Sequence, residues 1–481
     1  MDDFIRPVKQ EKKPKKKGFI KEILIIILIV VCLSIGFITG YMSKKTNNVT
    51  TSSNSDSVVD EVYQTLKDHW VNASDQDVDI VHSGLSAFVA GLGDIHSSYM
   101  TSEEANSFNE SVNGNYQGIG VGYSAVSNGV MLTKIYEDSP AQKANLAVGD
   151  ILLKADDHDL AGLDNDTVKQ YVRGQEGTTV HLTYLRGDKT SEVDVERQSL
   201  DTSVAYEIRE NNGIKFGFLS ITTFGSDTAS RVGEALEEFR NKNIGNLVLD
   251  LRGNGGGYLT AAIDILNYFF DSNDVIYQME EKNSGAVKTY AKDDNKYNFT
   301  NGYILVNGST ASASELTAGT LQQELNFKLI GEQTYGKGTA QVQKKLSDGS
   351  VLKYTYARWM LPDGTCINGE GLTPDIEIAN PSISKIKIQT IKTPLSYDCV
   401  NTNIKSMQKM LKILGYDCGR EDGYFSSQTV EVLKTFEGAN GLNQDGNYDE
   451  SDKLMLIAKV MVYINNNSND LQYNKLLEEL K

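Results

Sequence analysis

Residues 23–42 form a run of twenty consecutive uncharged, mostly apolar residues. As a helix rising ~1.5 Å per residue, the run spans about 30 Å, the thickness of a bilayer's hydrocarbon core. Arg6, Lys9, Lys12, Lys13, Lys15, Lys16 and Lys17 precede it. Basic residues stay on the cytoplasmic side of a membrane. The expected topology is therefore a basic cytoplasmic tail over residues 1–18, a single-pass transmembrane helix over 19–42, and everything beyond Lys45 outside. A cleaved secretory signal would have a shorter apolar region, ~7–15 residues, and a small-residue cleavage site. Gly40-Tyr41-Met42-Ser43 is a poor site of that kind.

The chain of 481 residues is long enough for several domains. Its net charge of −17 excludes nucleic acid as a partner. Residues 43–57, rich in Ser, Thr and Asn, read as a flexible linker. Residues 58–115 are predicted largely helical: Val58, Val62, Leu66, Val81, Leu85, Phe88, Val89 and Leu92 recur at three- and four-residue steps through about residue 108. Short strands and turns then make a compact module over residues 116–197. Residues 198–385 alternate buried-strand runs, such as 247–251 and 303–306, with helices at 258–270 and 314–325, an α/β layered pattern. A polar connector spans 381–394, a small helical module 398–464 and a polar Asn-, Glu- and Lys-rich tail 465–481. Cys399 and Cys418 bracket a predicted helix whose ends lie nearly 20 Å apart at ~1.5 Å per residue, so free thiols are expected rather than a disulfide. No cysteine spacing suits zinc, and neither a metal nor a cofactor is implied.

Three segments carry chemistry. In Thr310-Ala-Ser-Ala-Ser-Glu315 a strand end and a turn lead into a helix, so a serine here stands at a helix N-terminus, where N–H groups and the dipole favour a developing anion. Taken alone, such a serine reads as a plain helix cap. A serine nucleophile needs a base. His69, His82, His96, His158 and His181 all precede the α/β domain, so a Ser–His–Asp triad built wholly within it is excluded. A lysine can serve instead, and the segment 331–341 supplies one in Lys337, framed by Gly336 and Gly338 as a backbone in close approach would be. Asp250-Leu-Arg-Gly-Asn-Gly-Gly-Gly257 ends a strand with consecutive glycines that let N–H groups face a cavity. Its spacing fits neither a P-loop nor a dinucleotide fingerprint, and Gly118-Ile-Gly-Val-Gly122 fails the same test.

In these residues, together with Thr334-Tyr-Gly-Lys-Gly-Thr-Ala-Gln341, the chain resembles the carboxyl-terminal processing peptidases, from about residue 58 to 381. The resemblance implies an α/β protease core, crotonase-like or ClpP-like, with an inserted PDZ domain. It implies Ser312 as nucleophile, Lys337 as base, Gln341 holding that lysine, and Ala313 and Gly257 as oxyanion donors. Gly255 stands where the family commonly has proline, and Ala340 where it has valine. Tyr116-Gln-Gly-Ile-Gly-Val121 and the strands after it resemble a PDZ domain, whose loop N–H groups hold a C-terminal carboxylate and whose next strand pairs with the peptide. Gly118, Ile119, Gly120 and Val121 would bind the peptide. Arg173 matches a position that in relatives links this domain to the active site. Asn145, where a glycine is usual, tolerates the left-handed backbone required there.

Residues 407–446 resemble peptidoglycan-binding-like three-helix modules, with Phe425-Ser426 for the usual Phe-Gly. Such a module either binds the wall or only assists assembly, and both remain open. The expected protein is a membrane-anchored serine endopeptidase, homodimeric and on the outer face of a bacterial cell membrane. It would take protein substrates with free C-termini. The alternative is a silent PDZ scaffold binding C-termini at the cell wall.

Overall fold

The computed structural model describes residues 55–69, 80–292, 296–383 and 386–480. The predicted basic tail, membrane helix and nearly all of the linker lie outside them. Among the described residues no helix is long and apolar enough to cross a membrane. The chain divides into two units, Met1–Ser83 and Gly84–Lys481. In the first, helix Ser55–His69 carries Val58, Val62 and Leu66 at the predicted spacing, and all three are exposed. Periodicity marks an apolar face; it does not say what covers it.

In the second unit Leu85, Phe88 and Leu92 are likewise exposed, and Val89 alone of the predicted helical positions is buried. The predicted helical stretch is broken by strand Ser98–Met100, which pairs antiparallel with Val351–Lys353. Helix Ser102–Asn113 resumes behind a capping box in which Thr101 and Glu104 each accept the other's N–H.

The α/β core is a six-stranded sheet, in the order Val204–Asn211, Ile214–Ile221, Asn246–Asp250, Asn301–Val306, Lys328–Gly331 and Ile376–Glu377. The first pair is antiparallel and the rest parallel. Both faces are buried, as the continuous apolar runs predicted. Leu247 and Leu249 join the cluster formed with helices Thr228–Asn241, Leu259–Leu266 and Ala313–Leu325. Val248 points the other way, to a cluster with Phe216, Phe218, Tyr303, Leu305 and Ile330. That face is covered by Leu476 and Leu480 of the helix Leu471–Glu479 and its C-cap. The predicted polar tail 465–481 thus contains a docked helix, whose Tyr473, Leu476, Leu477 and Leu480 are interleaved with Asn, Glu and Lys.

A second, five-stranded sheet centres on Val351–Met360, flanked by Ser98–Met100, Thr339–Lys345 and Val275–Glu281, with Val287–Tyr290 outermost. The predicted PDZ region is a sheet in the order Val121–Val126, Gly129–Ile135, Ile151–Ala155, Thr179–Arg186 and Lys189–Glu196, with helix Asn165–Val172. The C-terminal module has helices Thr402–Ile413, Ser427–Ala439 and Glu450–Ile464. Its apolar core is continuous with Met131 and Ile151 of the PDZ region. Ile391, with Ile383 and Ile386, packs into the same cluster, so the connector is not merely a polar spacer. Cys366, Cys399 and Cys418 are free thiols.

Candidate active site

Strand Asn301–Val306 ends at the sheet's carboxyl edge and a turn delivers Ser312 to the N-cap of helix Ala313–Leu325. Ser312 has φ 59° and ψ −119°. A non-glycine residue in that region stores about 1–3 kcal/mol of strain and persists only where its surroundings hold it. Those surroundings are explicit. Ala311 N–H donates to Asn254 O (2.9 Å), Tyr335 N–H to Thr310 O (3.0 Å), and Ser312 N–H to Glu315 Oε2 (2.9 Å). Ser314, the other serine of the repeat, is buried and its hydroxyl donates to Asn254 O at 3.0 Å. Ser312 instead lines a cleft of about 680 Å³ together with Lys337, Gln341 and Gly257.

Lys337 is brought there by the loop between the two sheets, after strand Lys328–Gly331 and before strand Thr339–Lys345. The buried carboxylate of Glu315 holds this loop. Oε1 accepts from the Thr334 hydroxyl (2.6 Å) and Gly336 N–H (2.7 Å), and Oε2 accepts from Lys337 N–H (2.8 Å). One carboxylate therefore fixes the backbones of both Ser312 and Lys337. Sequence reasoning assigned Glu315 no role. The signal was present, since Ser312-x-x-Glu315 is a capping-box spacing.

Burial lowers the Lys337 ammonium below the usual lysine range, and the nearby Lys353 cation adds to this. Asp94 and Glu315 act in the opposite sense. Lys353, in the same cleft and 4.5 Å over the Phe108 ring, is itself lowered by burial. His96 comes from the segment before the core. Burial and then Lys337 lower it, Asp94 opposes them, and Lys353 lowers it further. Among the described residues no histidine lines the cleft. Gln341 sits at a bulge in the pairing of Thr339–Lys345 with Val351–Met360. Bulges re-aim side chains, and the Gln341 amide donates to the hydroxyls of Thr339 (3.0 Å) and Thr355 (3.1 Å).

The glycine loop packs directly on the nucleophile. A Cβ on Gly256 would lie 2.8 Å from Ser312 Cβ, so only glycine fits. Gly256 N–H is taken by Asn254 Oδ1 at 2.9 Å. Phe224 N–H donates to Gly256 O and Tyr258 N–H to Phe224 O, which brackets Gly257 between two fixed peptides. Ala313, at the first helical position, carries an N–H with no intrahelical acceptor.

A second cleft of about 500 Å³ runs between strand Val121–Val126 and helix Asn165–Val172. That strand is the outer strand of its sheet, paired on one side only. Ile119 is buried, and Gly120 has φ 77° and no space for a side chain against Ser139. The Arg173 guanidinium stacks 4.6 Å over the Tyr116 ring and its stem lies along Gly118. Ser111, Thr222 and Thr223 line both clefts, so the groove adjoins the cleft that holds Ser312.

Residues 215–378 match the model of peptidase family S41, 117–196 that of the PDZ domain and 400–451 that of a putative peptidoglycan binding domain. The chain is 33% identical over 425 residues to a probable CtpA-like serine protease of Staphylococcus epidermidis, covering 88% of this chain and 85% of that one. It is 32% identical over 451 residues to the carboxy-terminal processing protease CtpA of Bacillus subtilis, covering 92% and 94%. A solved photosystem II D1 C-terminal processing protease aligns with a TM-score of 0.45 at 24% identity, over 68% of this chain and 87% of that one.

Proposed function

Because the chain belongs to peptidase family S41, among the carboxy-terminal processing serine proteases, we propose that it cleaves peptide bonds with a Ser312–Lys337 dyad after its PDZ groove captures the substrate's C-terminus. The observation that carries this reading is the common fixing of both residues by Glu315 at one cleft. The Ser312 hydroxyl attacks the scissile carbonyl carbon as neutral Lys337 Nζ takes its proton. Ala313 and Gly257 N–H groups donate hydrogen bonds to the developing oxyanion. As the tetrahedral centre collapses, the Lys337 ammonium returns the proton to the leaving amine. Water, deprotonated by Lys337, then releases the ester from Ser312. Gln341 aids in holding the lysine.

In the groove, the N–H groups of residues 118–121 meet the terminal carboxylate and the free edge of strand Val121–Val126 pairs with the peptide. Arg173, packed on Tyr116 and Gly118, reports occupancy to the core. The mostly parallel core sheet, with helices packed on it, supports a crotonase- and ClpP-like plan. The apolar run 23–42 and its basic flank support a single-pass anchor, with the catalytic part outside a bacterial membrane. The exposed Phe88, Leu92 and Ile95 suit pairing with a second copy, and the C-terminal module offers a surface to peptidoglycan. Protease shaving of intact cells should release the folded part, and sedimentation should give twice the chain mass. Full protection or a monomer would remove those assignments. The activity itself is tested with an unstructured protein bearing a free C-terminus. The full chain should cut it, and Ser312→Ala should bind without cutting. Unchanged cutting by Ser312→Ala would end the dyad reading.

A further inference from the structure

The loop Asp250–Gly257 holds the oxyanion-side peptides, yet four of its eight residues are glycine. Such a loop has unusual backbone freedom and depends on outside ties. Most come from the core: Leu251 N–H donates to Leu305 O (3.0 Å), Gly253 N–H to Asn307 Oδ1 (3.0 Å), and Asn254 Nδ2 to Ile221 O (2.8 Å). The other end of the chain holds the loop through Arg252. Arg252 forks onto Asp250 through Nε (2.8 Å) and Nη2 (2.6 Å), while its Nη1 donates to Asp470 Oδ2 at 2.6 Å and has Gln472 Oε1 at 3.4 Å as its longer second acceptor. All three side chains are largely shielded, with 13–18% of their surface exposed. Burial disfavours the Arg252 charge, and the two carboxylates outweigh it to raise Arg252.

Asp470 is itself immobilised. It caps the helix Leu471–Glu479 by accepting Tyr473 N–H (2.9 Å) and accepts Asn380 Nδ2 (2.8 Å). Gln472, buried beside it, donates to Ile378 O at 2.9 Å. The helix is seated by Leu476 and Leu480 on the sheet face away from Ser312's helix. The tail thus grips the sheet with its apolar residues and reaches over its edge to Arg252 with its first carboxylate. Arg252 and Gly253 also line the groove that leads to the site.

We propose that Asp470 is a positioning residue for peptide hydrolysis, acting through Arg252 to hold the Asp250–Gly257 loop in its oxyanion-binding geometry. This makes the last segment of the chain part of the catalytic apparatus, and it rests on the reading of Gly257 as an oxyanion donor.

The test uses the full chain carrying Asp470→Asn. Asparagine keeps the shape and the capping oxygen, so the helix stays capped while the charge is removed. Losing one oxyanion donor costs ~10²–10³ in kcat, and a loosened donor should cost about tenfold. The expected result, well below the melting temperature of each form, is that fall in kcat with KM within about twofold of the parent. The pH midpoint set by Lys337 should be unmoved, and Asp470→Glu should recover most of the rate. Parent kcat in Asp470→Asn, or a rise in KM alone, would overturn the proposal. Amide exchange provides a readout independent of any substrate. Residues 251–257 should exchange faster in Asp470→Asn, and unchanged exchange there defeats the proposal. Failure of the parent to cut any substrate would instead count against the dyad reading.

Discussion

Glu315 is buried behind the active cleft and holds Lys337 by the lysine's backbone, whose N–H donates to Glu315 Oε2 at 2.8 Å. The side-chain amine takes no part in that contact, and Lys337 and Ser312 line the same cleft, while the carboxylate's remaining capacity goes to Ser312 N–H, the Thr334 hydroxyl and Gly336 N–H. Glu315 lies on the first turn of the nucleophile's own helix, so the base segment is referenced directly to the nucleophile.

Glu315→Gln should therefore damage both stability and rate. Each carboxylate oxygen accepts two donors, and a glutamine would turn an NH2 group toward one of those pairs. A buried donor left unpaired costs about 1–3 kcal/mol. Calorimetry should show a melting temperature lower by several degrees, and the kcat loss should persist far below the transition. A variant that melts and turns over like the parent would show that the two segments are held by something else.

The pH dependence follows from the charges around Lys337. Burial and Lys353 lower it, while Asp94 and Glu315 raise it, and His96 nearby is itself lowered. A lysine lowered in the folded state binds fewer protons there than when unfolded, between the folded value and the unfolded 10.5. Its cost to stability is therefore fully present below the folded value. The cost is relieved as pH rises through the window toward 10.5, and stability rises with pH across it. Activity should climb through one ionisation below the free-lysine range. Lys353→Gln removes a like charge and should move that midpoint upward, lowering kcat/KM at neutral pH. A midpoint unmoved or shifted downward in the kcat/KM profile would contradict the arrangement. Lys337→Met should be inactive and melt no lower than the parent.

Gly256→Ala should be nearly inactive. At φ 100° the new Cβ would stand 2.8 Å from Ser312 Cβ, 2.9 Å from Ala311 O and 3.1 Å from Ala313 N. The backbone strain alone is about 1–3 kcal/mol, and relief must displace either the nucleophile or the adjacent oxyanion donor. Full kcat in this variant would mean that the loop does not pack on Ser312 in the active enzyme.

Amidating the C-terminus of a peptide substrate should lower kcat/KM about ten- to hundredfold, since a charge-assisted hydrogen bond is worth ~1.5–3 kcal/mol. The groove around residues 118–121 would lose its carboxylate while the cleft at Ser312 stayed intact. Equal kcat/KM for acid and amide, measured below saturation, would make the PDZ region a spacer.

Much of this was legible in sequence because it is local. Ser312, Lys337, Gln341 and Gly257 stand in short segments that resemble one family's motifs, and the structure brings all four to one cleft. The buried strands were legible from continuous apolar runs. What stayed hidden depends on pairing across the chain. Arg252 and Asp470 are 218 positions apart, and nothing local marks either as a partner of the other. Leu476 and Leu480 carry an i, i+4 signal too short to stand out from polar neighbours. Ser98–Met100 is a strand only because Val351–Lys353 offers it an edge, and tertiary pairing there overrides helical periodicity. Ser314 could not be told from Ser312 by residue type. Burial and the bond to Asn254 O separate them.

The dyad is tested most directly by the rate at which a fluorophosphonate modifies the full chain, followed by mass spectrometry as a function of pH. Such a reagent needs a deprotonated serine next to an oxyanion site and no substrate at all. The account predicts a single adduct on Ser312, forming faster as pH rises through one ionisation, with the rate lost in Lys337→Met. An adduct on Ser314, or modification of Ser312 at the parent rate in Lys337→Met, would contradict it.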